Sequence, residues 1–295
     1  MKVLVIGASG FIGSHVYSHA LAAGHQVLGT RCAKQRNGLA PFDLARDRLA
    51  DLAHGFLETS DRKVCVVCAA ISQIDRCYRE REVTRVVNVV GTCRLLDDLA
   101  AHGVKPVFLS TGSVYDGTVG YYDESPPWCP MNEYGRQKAA VEAHIRERVP
   151  AAAVLRLDKV VGDHPAEKHL FSEWHAALSA GRPLVCIRGQ IFSPTLVDDV
   201  ARTAVLAASL DLKGVYNVAN PEFFSREELA AQFALAMGAK TEIVSKPQAE
   251  FQFAELRPLK SYLDATKLIL ATGMRFTSVR EMFQRFQDHL RERGA

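Results

Sequence analysis

The chain has 295 residues, 48% hydrophobic and 23% charged, with 36 Lys and Arg against 33 Asp and Glu for a net charge of +3. That balance excludes a disordered or fibrous chain and sets up no strong field for nucleic acid or membrane, and the length suits one two-lobed unit or two modest domains. Seven cysteines, an odd number scattered along the chain, argue against a disulfide framework.

The apolar run from Val3 to Ile6 is too short for a secretory core, and no apolar stretch reaches membrane-spanning length, so a cytoplasmic location is expected. It ends at Gly7-Ala8-Ser9-Gly10-Phe11-Ile12-Gly13, after which helical spacing runs over residues 11–23. Strand, glycine turn and helix in that order let backbone approach a diphosphate while the helix N-terminus offers free amides. His15 and His19 share a helix face, but no carboxylate or third histidine adjoins them in sequence, which disfavours a metal site.

A second strand over 26–30 ends at Arg31, where an NAD site would carry an acid for the ribose hydroxyls. Arg31, with Lys34 or Arg36, suits a 2′-phosphate instead, which places NADP(H) ahead of NAD(H). Asp43-Leu44 follows a short third strand, and residues 48–57 have helical spacing. A fourth strand, 64–68, leads into Ala69-Ala70, small enough for a flat cofactor to pass. Cys65 and Cys68 lie on this strand at a spacing that points them to opposite faces, so inert buried thiols are expected.

A long helix over 82–101 and a fifth strand over 107–110 follow, and the alternation predicts an α/β fold with a doubly wound parallel sheet. Ser110-Thr111-Gly112-Ser113 sits where that strand leaves the sheet, the place where ligands bind in such folds. The hydroxyl of Thr111 is a candidate to meet substrate, or else a turn or cap hydroxyl. The loop between Thr111 and Tyr134, rich in Gly, Pro and Tyr, has the length of a substrate-facing flap. Tyr134 and Lys138 then stand one helical turn apart, so a cation adjoins a phenol and should lower its pKa, making Tyr134 a candidate acid or base.

A sixth strand covers 154–157, after which regular alternation stops. Helices are predicted at 168–180, 197–209, 226–237, 265–272 and 279–291, with Ser225 and Glu228 forming a capping box. The expected division is a Rossmann domain over 1–162, with 190–220 returning to it, and a smaller interleaved C-terminal substrate lobe over the rest of 163–295.

These motifs together resemble the extended branch of the short-chain dehydrogenase/reductase superfamily, and the likeness spans almost the whole chain. Gly7, Gly10 and Gly13 match that family's cofactor turn, Asp43 its acid beside the adenine, and Asn88 its central-helix asparagine. Thr111, Tyr134 and Lys138 match its catalytic hydroxyl, tyrosine and lysine. The segments 109–117, 192–199 and 256–259 look like those of the dTDP-4-dehydrorhamnose reductase group, although Gly112 stands where that group commonly has an acid.

The resemblance implies an NADPH-dependent reductase of a 4-keto deoxysugar nucleotide. Tyr134 would donate the proton, Lys138 would bond the nicotinamide ribose, and Thr111 would orient the carbonyl with Ser113 beside it. Arg257 is the candidate for the substrate diphosphate and Arg188 a weaker second. A 4-epimerase with retained NAD and a non-catalytic NADP-binding regulatory subunit are the alternatives. The family's four-helix pairing would use residues 82–101 and 132–148 for a homodimer, and a monomer suits the same residues.

Overall fold

The alternation of large aliphatic side chains along the first strand decides the architecture, because both of its faces must be covered. In the computed structural model, which describes residues 1–32, 36–58 and 61–294, β1 (Lys2–Ile6) lies inside a parallel sheet. Its neighbours are β2 (Gln26–Arg31), followed outward by β3 (Ala40–Pro41), and β4 (Lys63–Val67), followed by β5 (Lys105–Thr111) and β6 (Ala153–Leu157). Four short strands then leave this sheet: β7 (Lys159–Val161), β8 (Leu184–Ile187), β9 (Ile191–Phe192) and β10 (Pro194–Leu196). The chain returns as β11 (Gly214–Val218), which pairs with β6 and completes the order β11-β6-β5-β4-β1-β2-β3. Outside it, β7 pairs with β10, β9 with β12 (Phe224–Ser225) and β8 with β13 (Ile243–Lys246).

Val3 and Val5 point into one core with α1 (Phe11–Ala22) and α8 (Val197–Ser209), contributing Val16, Ala20, Val200 and Ala204. Leu4 and Ile6 point into the other, against α5 (Thr92–Ala101) and α6 (Glu133–Arg148) through Leu95, Leu96, Leu99, Val141 and Ile145. The doubly wound parallel sheet expected from the sequence is therefore present. A third, aromatic core holds the C-terminal lobe. There Phe171 of α7 (Leu170–Ser179) stacks on Phe233 of α9 (Arg226–Ala236) at 5.3 Å, with Phe283 and Phe286 of α11 (Val279–Gly294) around them.

The five late helices lie within two residues of their expected starts. The short strands of this lobe, two to four residues long, were not anticipated, since so few residues carry no readable period. The helix expected over 82–101 divides into α4 (Arg81–Arg85), a π-helical turn Val86–Gly91 and α5, behind a further short helix, α3 (Ile74–Arg79). Gly91 lets this rod lie against strand-side backbone, since a Cβ there would stand 2.0 Å from the Leu44 carbonyl oxygen. Among the described residues no helix is long and apolar enough to cross a membrane.

Candidate active site

Parallel pairing brings the carboxyl ends of the strands to one edge. Ile6 is level with Val67, and Thr111 is level with Leu157. Gly7, Ala69, Thr111 and Asp158 consequently leave the sheet side by side. At that edge Gly7 adopts a φ of +89°, and a Cβ on it would stand 2.8 Å from the Ala69 amide. A Cβ on Gly13 would meet the Gly7 carbonyl oxygen at 2.1 Å, so helix α1 abuts the turn only because glycine stands there. No side chain caps α1, which leaves the first-turn amides of Phe11, Ile12 and Gly13, with Ser9 beside them, turned toward an anion. This glycine cradle fits a dinucleotide diphosphate.

The remaining cofactor candidates divide into two groups. Arg31 is half-buried at the end of β2, and among the described residues no hydrogen bond or ion pair holds its guanidinium; Arg36 is exposed, and Lys34 lies outside the described residues. Asp43 accepts the Ala45 amide at 2.9 Å in a turn below Leu44. Asn88, by contrast, does not present its amide to a ligand. Its Oδ1 accepts the Ile71 amide at 2.8 Å, and its Nδ2 donates to the Ile71 carbonyl and to Gln137 Oε1, each at 2.8 Å. Burial forces that saturation. Asn88 thus fastens the segment following Ala69 and Ala70 to the helix that carries Tyr134.

Helix α6 begins at Asn132, whose side chain accepts the Gly135 amide at 2.9 Å. Gly135 lies against the Ser113 carbonyl, where a Cβ would stand 2.0 Å from the oxygen. This contact sets Tyr134 beside the Thr111–Ser113 turn. The Thr111 hydroxyl accepts the Ser113 amide at 3.1 Å, so it caps the turn and also lines the cleft. Lys138 is buried, donates to the Leu109 carbonyl at 2.7 Å and lies 5.9 Å from the centre of the Tyr134 ring.

The expectation that this ammonium lowers the tyrosine's pKa is not met. Burial pushes the Tyr134 phenol up and, outweighing the pull of Glu142, brings Lys138 down to about 8. Removing both groups from water costs more than their mutual attraction returns. The phenol's pKa therefore lies above its ordinary value.

Behind Lys138 stands a charged network that sequence reasoning missed. Glu142 is buried one turn further along α6 and accepts Ser110 Oγ at 2.5 Å, Trp128 Nε1 at 2.9 Å and Arg156 Nη2 at 2.6 Å. Arg156 also donates to the Tyr115 hydroxyl. Tyr115 stacks on Tyr122 at 4.5 Å, and Asn217 of β11 donates to the Tyr122 carbonyl at 2.8 Å. The loop after Thr111 is consequently not a free flap: its first residues face the cleft, while the rest is pinned across the sheet edge.

The cleft has a volume of about 320 Å³ and is lined by Thr111, Ser113, Asp158, Lys159, Gln190, Arg226, Phe251, Phe253, Arg257 and Ser261 among others. Arg257 reaches it, as expected, but donates to Asp75 at 2.8 Å and lies over the Phe253 ring at 4.3 Å. Arg188 does not reach it. Neighbouring Ile187, the last residue of β8, lines the cleft, whereas Arg188 lies in the turn that follows, is exposed and donates to the Ser245 carbonyl at 3.1 Å.

Lys159 and Arg226 were missed. Burial pushes both below their ordinary pKa, and Arg226 opposes Lys159 further. Each carried a readable signal. Lys159 stands two residues past the end of β6 at the binding edge, and Arg226 is a cation in the first turn of a helix, where the macrodipole disfavours it.

On the far side of α1, His15 bonds Asp198 at 2.6 Å and Glu167 at 2.7 Å, and His19 reaches Asp198 at 3.4 Å. The carboxylates absent from the histidines' sequence neighbourhood are thus supplied by tertiary contact. Cys65 is buried, and burial raises Cys68 to about 12, so neither thiol is activated.

A doubly wound sheet with a glycine cradle at one strand end and a Thr, Tyr and Lys set two strands away defines the extended short-chain dehydrogenase/reductase superfamily, a class of NAD(P)-dependent oxidoreductases. Within it, the chain belongs to the RmlD substrate binding domain family, whose model matches residues 1–292.

Among curated relatives it is 28% identical over 277 residues to the probable low-salt glycan biosynthesis reductase Agl14 of Haloferax volcanii, covering 91% of each chain. It is 27% identical to dTDP-4-dehydrorhamnose reductase of Mycobacterium tuberculosis, covering 88% of this chain and 83% of that one. It is also 27% identical to methionine adenosyltransferase 2 subunit beta of Danio rerio, covering 91% and 84%. Of solved structures, a dTDP-4-dehydrorhamnose reductase of Clostridium acetobutylicum superposes with TM-score 0.86 at 20% identity, over 99% of this chain and 100% of that one. The Bacillus anthracis reductase in complex with NADP gives 0.84 at 22%, over 97% and 98%. These two likenesses concern the fold.

Proposed function

We propose that the protein reduces the keto group of a 4-keto deoxysugar nucleotide with NADPH. The observation that carries this reading is the half-buried phenol of Tyr134, set beside the Thr111–Ser113 turn at the binding edge by the contact of Gly135 with the Ser113 carbonyl. Gly7, Gly10 and Gly13 with the first-turn amides of α1 would hold the cofactor diphosphate, and Arg31 would face the 2′-phosphate. NADPH supplies hydride to the keto carbon. Tyr134 gives its proton to the keto oxygen, Thr111 orients that oxygen, and the charge of Lys138 stabilises the phenolate left behind. Lys159 and Arg226, with Arg257, bring positive charge to the cleft for the substrate diphosphate.

The test is to incubate the protein with NADPH and a panel of 4-keto sugar nucleotides while following absorbance and product mass. Stoichiometric NADPH consumption with a product two hydrogens heavier supports reduction, and sugar isomerisation without consumption supports a 4-epimerase instead. The likeness to methionine adenosyltransferase 2 subunit beta favours a second reading, a non-catalytic NADP-binding subunit. Tight NADP binding, no turnover across the panel and co-purification of a partner enzyme would select it.

A further inference from the structure

Asp158 has no part in the proton transfer, the cofactor cradle or the cationic site, yet it stands in the cleft. It is the first residue beyond β6, and the residue before it, Leu157, is level with Thr111 on the neighbouring strand. The carboxylate is therefore presented at the same sheet edge as the Thr111–Ser113 turn, and it lines the same cavity. It is anchored there, because Oδ2 accepts the Ser193 amide at 2.6 Å and the Ser261 hydroxyl also bonds to it.

Among the described residues no salt bridge neutralises it. Lys159, with Arg226 and Arg257 beyond, lines the same cleft. A fixed acceptor, half-buried, without an ion pair and level with the site of proton transfer has no structural need to be a carboxylate, since a neutral amide could accept the Ser193 amide equally well.

Resting on the reductase reading above, we infer that Asp158 is a specificity-determining residue that accepts a hydrogen bond from a hydroxyl of the substrate's sugar ring. Gly112 fits beside it. A Cβ at Gly112 would contact Leu263 and the Ser261 carbonyl at 3.3 Å, so a larger residue would push the segment that holds Asp158. The acidic group of this cleft therefore comes from β6 rather than from the position after Thr111. Burial raises the Asp158 carboxyl to about 6, against the opposing pull of Ser261, the Ser193 amide and Lys159. Beyond Lys159, the other charged groups that bear on this corner are Arg226, Arg257 and Glu173. The charged acceptor is thus present at neutral pH and lost as pH falls through about 6.

Binding separates this inference from the one beneath it. Calorimetry with dTDP-glucose and UDP-glucose, against dTDP and UDP alone, measures what the sugar ring adds for the wild type and for Asp158→Asn, which keeps the anchor bonds. In the variant the sugar's added affinity should fall about 10- to 100-fold while affinity for the bare nucleotides holds, because a site built around a hydroxyl loses a charge-assisted bond. The wild type should lose the same increment between pH 7.5 and 5, and the variant should show no such bend. In turnover, the loss should appear in KM to a greater extent than in kcat. An unchanged sugar increment, or a pH bend that survives in Asp158→Asn, overturns the inference while leaving the reductase reading intact. Absence of any nucleotide-sugar binding in the wild type, together with no turnover, overturns both.

Discussion

Gly135→Ala tests the contact that seats helix α6 on the Thr111–Ser113 turn. Helix propensity alone favours alanine by about 1 kcal/mol. The new Cβ, however, would stand 2.0 Å from the Ser113 oxygen and 2.9 Å from its carbon, against ordinary contact from 3.4 Å, so helix and turn must separate by more than 1 Å. The obstacle is backbone, and overpacking against it costs about 1–3 kcal/mol, which outweighs the propensity gain. Separation also moves Tyr134 away from Thr111, and a misplacement of about 1 Å lowers turnover roughly 100-fold. Differential scanning fluorimetry should show melting lower by a few degrees, and NADPH oxidation should show reduced kcat with NADPH affinity retained. A variant that melts at or above the wild-type temperature and turns over normally would refute the claim that Gly135 seats the helix on Ser113.

Further outcomes follow from other groups. Tyr134→Phe should lower kcat by roughly two to four orders of magnitude with binding preserved; unchanged turnover would remove Tyr134 as the acid. Arg226→Met should raise KM for the sugar nucleotide without affecting NADPH binding, and equal affinity for dTDP in variant and wild type would place the diphosphate elsewhere. Burial alone would lower His15, but its bonds to Asp198 and Glu167 raise it from 6.5 to about 9. That corresponds to about 3 kcal/mol before allowance for solvent and roughly 1–2 after it, since the Asp198 side chain is 36% exposed. A raised histidine pKa contributes fully below the unfolded value and fades as pH rises through the folded one. The melting-temperature gap between wild type and His15→Gln should therefore be largest below pH 6.5, fall as pH rises through about 9 and close by pH 10, and a gap constant over that range would show that the ion pairs contribute nothing.

Much of this was legible from local pattern. Glycines at 7, 10 and 13 between an apolar run and a helix announced the cradle because the geometry they permit is set within seven residues. The spacing of Tyr134 and Lys138 followed from one helical turn, and the helix starting at Val197 was read to the residue. Arg188 went astray because it lies in the turn just past a strand of four residues, Leu184–Ile187, and the end of so short a strand cannot be read from its period. Asn88 was placed near the cofactor by resemblance, while its partners, Ile71 and Gln137, lie 17 and 49 residues away.

By itself the sequence determined the parallel, doubly wound sheet, the glycine turn at its carboxyl edge and the spacing of Tyr134 and Lys138 on one helix, because each depends on periodicity or on turns of a few residues. Tertiary structure alone decided which charges meet. Glu142 under Lys138, Asp198 and Glu167 around His15, and Asp158, Lys159 and Arg226 in one cleft are brought together across strands and lobes. The sign of the Tyr134 shift was decided there too, since desolvation depends on everything packed around the phenol and not on the lysine one turn away.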